Sequence, residues 1–190
     1  MTEISFAAGM IFVLCAWLLF RLTVYWKTKT ADWKHEAWQV FFLINLLVIT
    51  RFTFYPFSTV NGQVQPLIFD CATAWPFRMN LVPFVNLLDY DSKSDLLINS
   101  IGNFAMFIPT GIMLPLIYKN ITGFRKVALT GAAMSLIIEI IQLPFAVRAS
   151  DVDDLILNTA GCMVGYALYA LVRWIIKVIK KATRPAAFSC

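Results

Sequence analysis

Five runs of about twenty mostly apolar residues divide this chain, and they constrain its fold more than any motif does. They cover residues 4–25, 37–55, 99–118, 127–145 and 155–176. Each has the length a helix needs, at ~1.5 Å per residue, to cross ~30 Å of hydrocarbon. Helix is the form lipid permits, because no water is present there to satisfy backbone groups. Alternating polar and apolar segments of the kind that build a membrane β-barrel are missing. With 59% hydrophobic and only 14% charged residues, a chain of 190 residues cannot hide its apolar surface in one water-facing core. The predicted fold class is therefore all-α, a single polytopic membrane domain of five helices over residues 1–190.

Charge placement predicts the orientation. The sixteen Lys and Arg give a net charge of +5. They sit in short clusters at the ends of apolar runs, not in the stripe that nucleic-acid binding needs, so no nucleic-acid partner is expected. Lys27, Lys29 and Lys34 follow the first run, and Lys119, Arg125 and Lys126 follow the third. Arg173, Lys177, Lys180, Lys181 and Arg184 close the chain. Asp70, Asp89, Asp91 and Asp95, and then Asp151, Asp153 and Asp154, occupy the alternate segments. With Arg21 added, twelve basic residues fall on one side, against Arg51, Arg78, Lys93 and Arg148 on the other. The positive-inside rule then predicts an outer N-terminus and a cytoplasmic C-terminus. The positive charge follows the first run instead of preceding it, so this run reads as an uncleaved anchor, not a signal peptide. Between the second and third runs, the stretch from Val64 to Leu88 carries Trp75, Phe77, Phe84 and three prolines. It is too broken to span and is expected to lie at the outer interface.

Polar residues in the spans gather toward the outer side. Asn99 and Asn103 share a face of the third run at i,i+4, and Glu139 and Gln142 follow at i,i+3 in the fourth. Glu139 lies roughly 9 Å below Phe145 along a helix. Arg148 stands in the next outer turn as its candidate ion-pair partner. Asp151, Asp154 and Asn158, three and four apart, share a face if the fifth helix begins near Asp151. A carboxylate inside a span is costly unless paired or protonated, which makes Glu139 the strongest functional candidate. The asparagines could instead serve as interhelical hydrogen bonds, and Asp151 as a helix cap. Asp153 reads as a solvated loop charge. Gly161 and Gly165, and Gly102 and Gly111, read as small-residue faces for close helix approach. Pro109 and Pro115 are expected to bend the third helix. The single His35 and the scattered Cys15, Cys71, Cys162 and Cys190 offer no zinc set, and no intrachain disulfide is expected.

These residues form an ordered set. Asn80-Leu-Val-Pro-Phe84 is followed by Asn99-xx-Gly102-Asn103-xxx-Phe107-x-Pro109-x-Gly111-xx-Leu114-Pro115. Ser135-xxx-Glu139-xx-Gln142 comes next, and Arg148-xx-Asp151-xx-Asp154-xxx-Asn158-xx-Gly161-xxx-Gly165 completes it. Over residues 80–170 this order and spacing resembles the VanZ-like family of bacterial membrane proteins. The resemblance implies a multi-pass protein of the cytoplasmic membrane, in a family whose founding member is linked to resistance to the antibiotic teicoplanin.

Two functions follow as expectations. In the first, an outer-level site of Asn80, Asn99, Asn103, Glu139, Gln142, Arg148, Asp151, Asp154 and Asn158 binds or shields a membrane lipid or a lipid-linked cell-wall precursor. Arg148 would suit a phosphate or carboxylate, and the asparagines neutral sugar or amide groups. In the second, a hydrolase or transferase acts on such a substrate, with Glu139 as general base and Asp154 as the other catalytic candidate. There Asp151 and Asp154 could hold a hard divalent cation. Against catalysis, no GxSxG-type nucleophile motif and no nearby His are present. No cofactor or resident metal is expected. A path through the membrane would need a homo-oligomer, since no inverted repeat is present.

Overall fold

In a computed structural model, residues 2–29, 32–55, 59–70, 72, 79–83, 93–145 and 150–183 are described. Among them are five helices: α1 Phe6–Thr28, α2 Trp33–Phe54, α3 Lys93–Ile117, α4 Phe124–Gln142 and α5 Val152–Ala182. All five fall on the predicted apolar runs. Four of them, all but α4, are long and apolar enough to cross a membrane. The 19-residue α4 carries Arg125, Lys126 and Glu139, too many charges to qualify on composition alone. At 31 residues, α5 is about 46 Å long and exceeds the hydrocarbon thickness. Its last turns, exposed all round, carry Lys177, Lys180 and Lys181.

Local chemistry sets the helix ends. Ser5 caps α1 by accepting from the Ala8 amide at 3.2 Å, and Asp32 caps α2 by accepting from Lys34 at 3.0 Å. The αL residue Lys29, at φ 50°, stops α1. Through Pro109 and Pro115, α3 continues as one helix.

The largest interface in the bundle joins α3 and α5. Its backbones touch. A Cβ on Gly161 would run into the Phe104 carbonyl, one on Gly165 into the Ile108 carbonyl, and one on Gly111 into the Cys162 carbonyl. Lipid supplies no hydrophobic drive between helices, so close backbone approach of this kind is what holds them together. Gly102 departs from the sequence expectation: among the described residues nothing lies within 4 Å of its Cβ direction, so it does not meet α5 as Gly111 does. Phe107 and Leu114 of α3, Val127 of α4, Ile49 of α2 and Cys162 of α5 form the buried core. A polar pin joins α2 to α3. The Thr110 hydroxyl donates to Asn45 Oδ1 at 2.6 Å, and Asn45 Nδ2 donates to the Met106 carbonyl at 3.0 Å.

Short strands close one end of the bundle, where α1, α3 and α5 begin and α2 and α4 finish. Strand β1 (Thr2–Ile4) pairs antiparallel with β4 (Leu67–Phe69), and Phe69 bridges to Phe145 beyond α4. A hairpin joins β2 (Thr59–Val60) to β3 (Gln63–Val64). Its turn residues Asn61 and Gly62 have φ of 52° and 74°, the type I′ geometry that an Asn-Gly pair adopts. Strand β5 (Met79–Asn80) runs parallel to β6 (Ser150–Asp151). Beneath β1 and β4, Tyr55, Leu67 and Phe145 are buried together. Of the stretch expected at the interface, Trp75, Phe77 and Phe84 lie outside the described residues, whereas Leu67–Phe69 is strand.

Candidate functional site

On α4, the buried residues Val127, Gly131, Ser135, Glu139 and Gln142 are spaced four, four, four and three apart. That spacing makes a single stripe along the helix. Glu139, near its end, is only 5% exposed. Its Oε2 accepts the backbone N–H of Asp151 at 2.9 Å, at the junction of β6 and α5. Asp151 in turn is the α5 N-cap, its side chain accepting the Asp153 amide at 2.9 Å. One carboxylate therefore holds the segment that starts α5, and the next holds the free amide of the helix's second residue.

Two further elements converge there. Asn80, opposite Asp151 in the β5–β6 register, donates from Nδ2 to Asp151 Oδ1 at 3.2 Å. Its own Oδ1 accepts the Val82 amide at 3.1 Å, which turns the chain away from the strand. From α3, Asn103 Nδ2 donates to Asp154 Oδ1. Deeper in the bundle Asn158, 1% exposed, donates to the Ser135 hydroxyl at 2.9 Å. Its Oδ1 is buried and, among the described residues, has no hydrogen-bond partner. An orphaned buried acceptor costs about 1–3 kcal/mol, and Gln142 Oε1 is buried in the same way without a partner among the described residues.

Of the residues expected in the site, the structure gathers Asn80, Asn103, Glu139, Asp151, Asp154 and Asn158. One other stands apart. Gln142 turns the other way, with Nε2 donating to the Thr53 carbonyl of α2 at 2.6 Å, so it ties α4 to α2. Asn99 is exposed, one turn before Asn103 on α3. Arg148, and with it the expected ion pair to Glu139, lies outside the described residues. Asp153 corrects the sequence reading. It is 5% exposed and not a solvated loop charge, because the first turn of α5 is packed into the bundle. Ser135 was missed as a site residue although it lies four before Glu139, one turn away on the same face.

The chemistry on offer is a set of carboxylate and amide groups already oriented by one another. It suits hydroxyl, amine or amide groups of a polar ligand. Among the described residues no three His, Cys, Asp or Glu side chains converge as a metal-ligand set. Asp151 and Asp154 each spend an oxygen on an asparagine amide.

The VanZ/LLP1 family model matches residues 41–173, from within α2 through most of α5. The matched region includes every residue gathered in the site and leaves out α1. Protein VanZ of Enterococcus faecium is 37% identical over 93 residues, 49% of this chain and 53% of that protein. The chain thus spans about half the length of this curated relative. No solved structure matches it. With most of its length matched and four helices able to span a bilayer, this chain is a membrane protein that belongs to the VanZ/LLP1 family.

Proposed function

We propose that this protein binds or shields the polar headgroup of a lipid or lipid-linked cell-envelope molecule at the outer face of the cytoplasmic membrane. Such binding would change susceptibility to teicoplanin-type antibiotics, the trait to which the family's founding member is linked. One observation carries the reading. The buried Glu139, the Asn80 strand, Asn103 of α3 and the start of α5 meet at one end of the bundle. By the distribution of basic residues, this end faces outward.

The test uses Glu139→Gln and Asp154→Asn, which keep shape and hydrogen-bonding capacity while removing charge. Each variant should insert at normal levels and lose antibiotic protection or lipid binding in membranes that express it. Full activity in both would reduce the cluster to a structural network and end this reading. Loss at Glu139 with full activity at Asp154 would keep the pocket and remove any role for a bound divalent cation.

A further inference from the structure

We propose that a second site, the cleft between α1, α2 and α4, holds one acyl chain of a phospholipid from the surrounding leaflet. This goes beyond the headgroup site, which lies on the other side of α4. The cleft has a volume of about 580 Å³. Gly9 and Phe12 of α1 form one wall, Leu46 and Ile49 of α2 the floor, and Ile138 and Ile141 of α4 the other wall. Thr50, also in the lining, spends its hydroxyl on the Leu46 carbonyl at 2.8 Å. The surface is therefore hydrocarbon in character.

The cleft exists because, among the described residues, the polar ties of α1 lie at its two ends. At the start of α1 the Tyr55 hydroxyl donates to the Ser5 carbonyl at 3.1 Å, and the Arg51 guanidinium lies 5.7 Å from the centre of the Phe6 ring. At its far end Arg21 pairs with Glu36 of α2. Between these ties α1 buries no residue at all and never closes on α4.

Three physical points select the occupant. An apolar cavity stays dry, so water does not fill it. Its mouth is continuous with the lipid-facing surface, since Phe12 is 74% and Ile137 55% exposed. Its length fits one leaflet. The lining runs on α4 from Met134 to Ile141 and on α2 from Leu46 to Phe54, about 10 and 12 Å of helix, and continues past both helix ends to Phe145 and Tyr55. Half of the ~30 Å hydrocarbon layer is about 15 Å. Tyr55, Leu67 and Phe145 cover the polar end, so the chain enters sideways from the bilayer.

The full chain is placed in vesicles of phosphatidylethanolamine and phosphatidylglycerol carrying a trace of lipid with a diazirine in its acyl chain. Photolysis should concentrate cross-links in peptides covering residues 8–13, 46–50 and 134–141, above those at exposed Leu171. Ile138→Trp, which fills the cleft, should lower cross-linking there by about tenfold and leave Leu171 unchanged. Cross-links spread evenly over all lipid-facing residues would overturn the proposal. Should Ile138→Trp not insert, the wild-type cross-linking pattern decides by itself. Labelling confined to residues 8–13, 46–50 and 134–141 would stand even if the Glu139 variants kept full activity, so the two sites fail separately.

Discussion

Single polar side chains decide the packing here, because hydrocarbon surroundings make each unmet group costly. Thr110 shows the scale. Its hydroxyl satisfies Asn45 Oδ1, so Thr110→Val, nearly the same shape, leaves a buried acceptor unmet. The expected cost is about 1–2 kcal/mol of stability, read as a lowered unfolding temperature in detergent. Thr110→Ser should recover most of it; an unchanged Thr110→Val protein would show that the pin carries no weight. The sequence made the polar character of these residues plain but not their direction. Glu139 and Gln142 are one turn apart on the same helix, yet one faces α5 and the other α2. A spacing of three residues rotates a side chain by about 300°, enough to reach a different neighbour at the boundary of two interfaces. Asp153 differs for a related reason: a charge at a helix start looks solvated until the packing of that first turn into the bundle is known.

At the scale of the element, the five apolar runs translate directly into helices, since length and apolarity leave lipid-embedded backbone no other form. Glycine spacing was a weaker guide. Gly102 and Gly111 carry the same signature, yet only Gly111 lies against a backbone. Which face meets a partner depends on where α5 crosses, and that is not written in α3. Substitution should separate the two kinds. Gly161→Val or Gly165→Val pushes a side chain into a carbonyl of α3, which cannot step aside as a flexible side chain would. Each should cost more than about 3 kcal/mol and abolish recovery of monodisperse protein, whereas Gly102→Ala should be recovered like the wild type. Equal recovery of all three would contradict the crossing. The strand pairs were invisible beforehand, because elements of two or three residues show no period. Only the Asn61-Gly62 turn announces itself, and it does so through its residue types.

For the whole molecule, twelve of sixteen basic residues on one side set the predicted topology, and the polar site belongs to the other side. In a chain whose own four cysteines are replaced by serine, Val60→Cys should react with a membrane-impermeant thiol reagent in intact cells. Asn120→Cys should react only after lysis. The reverse pattern would put the Glu139 cluster on the cytoplasmic face and remove envelope ligands from consideration. The order of the chain also has a consequence for synthesis. Glu139 emerges from the ribosome twelve residues before Asp151, whose amide is its hydrogen-bond donor. At ~5–20 residues per second, that is a wait of about one or two seconds. The glycines that dock α5 on α3 come later still. Until α5 arrives, α3 and α4 stand in the translocon with an unmatched carboxylate and with the α3 face around Gly111 uncovered. The partly made chain is therefore most exposed to quality-control proteases between the emergence of α4 and that of α5, and any delay in that interval lowers the yield of folded protein.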